Sequence, residues 1–109
     1  MANVTLNMDE HIFITFEPLN ELEEVILSDY KPGSLELLVN EPTFIEIEDI
    51  DGNELMKKII PLLDGVVTIG HTMRGKKNDN LITGQPVSIQ VNGYTAVASR
   101  AVFSPVQTN

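Results

Sequence analysis

The last third of the chain alternates apolar and other residues, and this two-residue period constrains the fold more than any other feature. Asn92-Gly93 interrupts the pattern and favours the left-handed backbone of a type I′ turn. The alternating residues then lie on one face of two paired strands: Val87, Ile89, Val91, Tyr94, Ala96 and Ala98. The sequence therefore predicts a β-hairpin in this part of the chain.

Strand-like patterns also occur upstream, at residues 12–15, 35–39, 44–50 and 66–69. Asp51-Gly52 offers a two-residue turn that would place Ile47 opposite Met56 and Glu46 opposite Lys57. Residues 55–63 also fit a helical stripe, but Pro61 disfavours a helix interior, so a hairpin strand ending at Pro61 is at least as well supported.

One short helix is expected between the first two strands. Leu19, Leu22 and Ile26 stand at helical spacing, and Asn20 is a candidate N-cap. The helix would end before Lys31-Pro32-Gly33. With 109 residues and 42% apolar content, the chain is predicted to form one domain, residues 1–109, mostly β, with a small barrel or a sandwich as its architecture.

Charge is unevenly distributed along the chain. Residues 1–54 contain 14 acidic side chains and one base, whereas residues 55–109 contain six bases and two acids, so their formal charges are −13 and +4. This asymmetry predicts binding to a partner and says little about catalysis. One such partner is a second copy, bound head to tail by an association that weakens as salt increases. The sequence has no signal-peptide pattern and no apolar run long enough for a membrane span, which predicts a cytoplasmic protein without membrane contact.

No catalytic, metal or cofactor motif is complete. Residues 70–77 resemble a phosphate-binding loop, but Lys77 replaces the required hydroxyl and no helix is predicted to follow, so an exposed basic hairpin loop is the favoured interpretation. Residues 49–54 resemble a calcium loop out of register, which favours a plain turn. His11 and His71 lack ligand spacing, the chain has no cysteine, and no serine lies in a nucleophile elbow. We therefore expect a non-enzymatic protein without a cofactor.

The basic loop, residues 74–80, is the candidate binding site for an anion or a partner. Its candidate residues are cations and amides: Arg74, Lys76, Lys77, Asn78 and Asn80. They could contact a phosphate backbone or the acidic half of another subunit. A net charge of −9 and few aromatic residues favour the protein partner or self-association over nucleic acid.

The arrangement of a short helix among short strands, finished by a hairpin, resembles the Sm-like small β-barrel, including uncharacterised Sm-like proteins of marine cyanophages. Met73-Arg74-Gly75 is similar to the arginine-glycine step of the second Sm motif, and Asn80-Leu81 to the end of the first, although their order is inverted. The resemblance implies a strongly bent, Sm-like or SH3-like barrel, a phage origin, side-by-side assembly and, through residues 74–80, RNA binding as the alternative. A surface-presentation type barrel and a small sandwich are the competing folds.

Overall fold

The computed structural model describes residues 2–93 and 98–108. Over these ranges it contains eight strands and a single 3-10 turn at Leu27–Asp29. The strands are β1 (Ala2–Asn7), β2 (Ile12–Thr15), β3 (Glu36–Val39), β4 (Ile45–Ile50), β5 (Asn53–Pro61), β6 (Gly65–Arg74), β7 (Leu81–Thr83) and β8 (Val87–Asn92).

The strands form two sheets. Sheet A has five strands in the order β1-β8-β6-β3, and β7 pairs with the far end of β6 beside β8. Sheet B has three strands in the order β2-β5-β4. All pairings are antiparallel except that of β1 with β8, which is parallel.

The core lies between the two sheets, because alternate residues of each strand point to the same side. Sheet A contributes Val67, Ile69 and Met73 from β6, each at most 1% exposed. Leu6, Ile89 and Val91 join them from sheet A, and Ile45, Leu55 and Ile59 from sheet B. The two inner faces together bury one continuous apolar cluster.

The predicted barrel is wrong. The order of sheet A ends at β1 and β3, that of sheet B ends at β2 and β4, and no pairing joins the two sheets among the described residues. The molecule is a two-sheet sandwich, the architecture that the strand pattern had left open. Alternating strands suit either architecture, because closure depends on which edges pair and the alternation does not encode that choice.

The predicted helix is also wrong, since residues 2–93 and 98–108 contain no α-helix. Asn20 caps a closed loop instead of a helix: its side-chain oxygen accepts hydrogen bonds from the backbone N–H of Leu22 at 2.8 Å and of Glu24 at 3.0 Å. An isolated bridge between Leu19 and Val25 closes the loop. The leucines at helical spacing, Leu19 and Leu22, are both exposed, so they do not form a buried apolar face. The described residues accordingly contain no helix able to span a membrane.

The β4–β5 hairpin is confirmed, and β5 ends at Pro61 as predicted, but its register differs. Ile50 lies opposite Asn53 across the two-residue turn, and an irregularity between Asp49 and Ile50 then shifts the pairing. Ile47 lies opposite Ile59 instead of Met56, and Glu46 lies opposite Ile60 instead of Lys57. The register is thus shifted by three residues from the predicted one. Because side chains alternate between the two faces, an odd shift reverses the face of β5 that points inward, so Leu55 and Ile59 lie in the core.

Beyond Val91, the predicted terminal hairpin is only partly within the described ranges. The predicted type I′ turn is wrong, because neither Asn92 nor Gly93 has the positive φ that it requires. Asn92 is the last residue of β8 and lies in register with Asn7 of β1. The predicted return strand falls on residues 94–97, which lie outside the described residues. Ala98 is exposed and belongs to no strand.

Gly65 at the β5–β6 turn provides a test of the packing at this end of the sandwich. Its φ is 142°, and a Cβ there would overlap the ring of Phe44. Gly65→Ala is expected to lower the free energy of unfolding by roughly 1–3 kcal/mol, measured by denaturant titration. Gly70→Ala is the control, because Gly70 lies in β6 without positive φ and its Cβ would make an ordinary contact with Leu38. Equal losses in the two variants would contradict this account of the turn.

Candidate functional site

The basic loop, residues 74–80, connects the antiparallel strands β6 and β7, as the predicted hairpin loop. It is closed by its own backbone: Gly75 N–H donates to the Asn80 carbonyl at 2.9 Å, and Asp79 N–H donates to the Gly75 carbonyl at 3.0 Å. The loop adopts this shape because Asp79 has a φ of 53°, in the left-handed region. All five candidate residues are exposed on it: Arg74, Lys76, Lys77, Asn78 and Asn80.

Two residues of the first half of the chain, Asp29 and Lys31, already bind this loop. Asp29 accepts the backbone N–H of Lys76 through its carbonyl at 2.6 Å and that of Lys77 through its carboxylate at 3.1 Å. Lys31 forms an ion pair with Asp79 at 3.0 Å. Two backbone amides that could bind a phosphate are therefore occupied.

Arg74, Lys76 and Lys77 differ in what their side chains contact. The Arg74 guanidinium donates to the Asp79 carbonyl at 3.2 Å and so braces the loop. The ammonium groups of Lys76 and Lys77 make no ion pair or hydrogen bond with any described residue. These two cations are the part of the predicted site that is available to a partner.

A buried tyrosine, Tyr30, lies between the basic loop and the acidic residue Glu54. Tyr30 is 7% exposed and forms an isolated bridge with Gly75. Burial, and then the neighbouring Glu54 carboxylate, raise the pKa of its hydroxyl above the ordinary value. Glu54 in turn accepts the Gly33 N–H through both carboxylate oxygens, at 2.9 and 3.1 Å. This end of the sandwich thus contains acidic and basic groups packed together.

The motifs considered in the sequence have ordinary structural roles. Residues 70–74 of the phosphate-loop-like segment are part of β6, and a strand instead of a helix follows the loop. Residues 49–54 form the β4–β5 turn, with Gly52 at a φ of 78°. Within residues 2–93 and 98–108, no three histidine, aspartate or glutamate side chains converge as a metal site.

A cavity of about 330 Å³ opens beside His71, where sheet A is interrupted between β7 and β8. The His71 side chain faces the interior, with its ring centroid 4.6 Å from that of Phe16. Burial lowers the pKa of His71, and the one carboxylate lining the cavity is Glu17. The lining is otherwise largely apolar, including Ile14, Leu19, Met73, Ile82 and Val87. Among the described residues, the His71 side chain makes no hydrogen bond with Glu17 or with a lining threonine, so no base and nucleophile are coupled here.

The charge pattern of the sequence did not predict the uncharged surface on the outer side of sheet A. The strand register brings together nine uncharged residues, which we call the neutral face: Asn3, Thr5, Leu38, Val66, Thr68, Gly70, Thr72, Ser88 and Gln90. Its charged neighbours on β3 and β6, Glu36 and Arg74, lie at one end. The outer side of sheet B, in contrast, contains Glu46, Glu48 and Lys58. Comparing charge by strand face, instead of by half of the chain, would have found this surface.

The arrangement of the two sheets is similar to that of a solved structure. The solution structure of the PKD domain from the KIAA 1837 protein matches with a TM-score of 0.56 and 13% identity, covering 92% of this chain and 89% of that chain. The chain has a PKD-like, immunoglobulin-like β-sandwich fold. No family model matches the sequence, and no curated protein matches it either.

This match overturns the Sm-like interpretation. The match to a PKD domain covers 92% of the chain, whereas the Sm resemblance depended on a helix and a closed barrel, and residues 2–93 and 98–108 form neither. Met73 and Arg74 lie at the end of β6, and Asn80 and Leu81 at the other side of the same loop, so the two motif-like segments are neighbours in one hairpin. The side-by-side assembly and the phage origin that the resemblance implied lose their basis with it.

The pKa of His71 gives a test of its buried environment. Because the folded pKa lies below the ordinary value of about 6.5, the unfolded chain binds a proton more readily, so the contribution of His71 to stability is complete above that pH and decreases below it. We expect His71→Gln to lose less free energy of unfolding than wild type between about pH 7.5 and about pH 5. His11→Gln, at the exposed histidine, is the control and should retain the wild-type pH dependence. Identical profiles for His71→Gln and wild type would contradict the assignment.

Proposed function

We propose that this chain is a non-enzymatic β-sandwich module that acts through protein–protein contact, with self-association through the neutral face as its specific form. The observation that carries the proposal is the composition of this face. Leu38 and Val66 are 65% and 51% exposed on it, and the residues between them are small or uncharged. Depletion of charge around exposed apolar side chains distinguishes the centre of an interface from the remaining surface.

The overall charge favours this face as the place where a second copy would bind. Each chain has a net charge of −9, so two copies repel each other over most orientations. None of the 16 acidic side chains belongs to the neutral face, and Glu36 lies at its border. Contact through this face therefore brings few carboxylates of the two copies together. A two-fold arrangement also tolerates contact between identical uncharged residues, which identical charges would oppose.

Nucleic-acid binding through the basic loop is the alternative function. Lys76 and Lys77 provide free cations for it, but their backbone amides are bound by Asp29, and the chain as a whole has a net charge of −9. Micromolar binding of wild type to a mixed single-stranded oligonucleotide at physiological salt, lost when Arg74, Lys76 and Lys77 are replaced by alanine, would support this alternative.

The self-association form is tested by sedimentation velocity of wild type and two variants that each exchange an exposed leucine for glutamate. Leu38→Glu places a charge on the neutral face and is expected to weaken association at least about ten-fold, because an unpaired charge would enter the contact. Leu22→Glu makes the same exchange at a leucine 78% exposed in the loop after β2, and should associate like wild type.

Salt provides the second readout of this experiment. The Debye length falls from about 10 Å at 0.1 M to about 3 Å at 1 M, which screens the repulsion between two anionic chains. Association of wild type should therefore strengthen with salt, the opposite of the head-to-tail expectation from sequence. Wild type that stays monomeric at both salt concentrations, or that dissociates as salt increases, would contradict self-association through the neutral face.

A further inference from the structure

Strand β2 is an edge of sheet B with an unpaired side. It pairs with β5, and no described strand lies beyond it. Phe16 N–H donates to the Leu55 carbonyl at 2.8 Å, so the alternation of an antiparallel ladder directs the backbone groups of Phe13 and Thr15 away from β5. An edge of this kind is a template for an additional strand.

Two apolar cavities lie on the inner side of this edge. The first is the cavity of about 330 Å³ beside His71, and the second, of about 160 Å³, is lined chiefly by Val4, Ile12 and Ile89. Ile14 and Val87 line both, so the two cavities are neighbours along β2. We call the edge and its two cavities the β2 groove. Side chains of a strand added beside β2 would enter it at alternate positions.

The segment 98–108 has the chemistry of such a strand. Its apolar side chains are almost fully exposed: 77% for Val102, 98% for Phe103 and 99% for Val106. Every residue from 98 to 108 is exposed, so the segment does not cover the β2 groove of its own chain. Three exposed large apolar side chains within residues 102–106 form a surface that a partner could bury.

Charge is complementary between the segment and the groove. Arg100 is the one charged residue among residues 98–108, whereas the remainder of the chain has a formal charge of −10. Glu17 lines the larger cavity, and Asp9 and Glu10 lie just before β2. A weakly cationic, apolar segment is therefore attracted to an acidic molecule with an apolar groove.

We propose that residues 101–106 of one copy add as a strand to β2 of a second copy, with Phe103 in the larger cavity of the β2 groove. The added strand satisfies the outward backbone groups of Phe13 and Thr15 and buries side chains that are exposed in the single chain. The two surfaces share Asn3 and Ser88, which line the smaller cavity. The larger cavity, in which Phe103 would bind, shares no lining residue with the neutral face, so this contact does not depend on that face.

The test removes Phe103 and then supplies the segment as a peptide. All proteins carry Leu38→Glu, so that association through the neutral face is equally weakened in every sample. Phe103→Asp is expected to weaken the remaining association at least about ten-fold, measured by sedimentation velocity. Gln107→Asp is the control, since it adds the same charge outside residues 101–106 and should leave association unchanged.

A synthetic peptide of residues 98–108 provides the second measurement. Added to the Phe103→Asp protein, it should bind and shift the NMR amide resonances of Phe13 and Thr15. Equal association of Phe103→Asp and its parent, or a peptide that leaves the β2 resonances unchanged, would overturn the proposal. A third outcome is a Leu38→Glu protein that is monomeric and binds no peptide, while the Phe103→Asp protein binds it. That result would show that residues 101–106 occupy the β2 groove of the same chain, and would overturn the assignment to a second copy.

Discussion

Strand β6 is the element on which the remaining structure depends. It pairs with β8 over residues 65–69, with β3 over residues 69–72 and with β7 over residues 72–74. Sheet A is therefore held together by β6, and β1 joins it through β8. Its inward side chains Val67, Ile69 and Met73 are at most 1% exposed and form the centre of the core. Substitution of any one of these by alanine would leave a cavity at the place where the two sheets meet.

The same strand determines the surface proposed to function. Because side chains alternate, burying Val67, Ile69 and Met73 directs Thr68, Gly70 and Thr72 outward, where the register adds uncharged residues from β1, β3 and β8. The core and the neutral face are thus two consequences of one pattern. The basic loop at the end of β6 has a different character, because Asp29 and Lys31 bind it from within the same chain.

The strands with strong alternation were predictable, and the pairing between distant strands was not. The β4–β5 hairpin followed from Asp51-Gly52 and Pro61, whereas its bulge did not, because the shift depends on which side of β5 the core requires. Strand β1 was missed although Val4 and Leu6 alternate with polar neighbours, a pattern that indicates a half-buried strand. Its parallel pairing with β8 joins distant parts of the chain, and alternation within either strand does not indicate such a pairing. The basic loop was correctly placed as a hairpin loop, but its contact with Asp29 joins residues 48 positions apart, which no local pattern reveals.

The central claim is that copies contact each other through the neutral face and not through the basic loop. The most direct measurement is the concentration dependence of the amide NMR resonances of the wild-type chain at high salt. The account predicts that resonances of Thr68, Ser88 and Gln90 shift progressively as the protein concentration increases, while those of Lys76 and Lys77 remain constant. Shifts confined to Lys76 and Lys77, with Thr68, Ser88 and Gln90 unchanged, would contradict it.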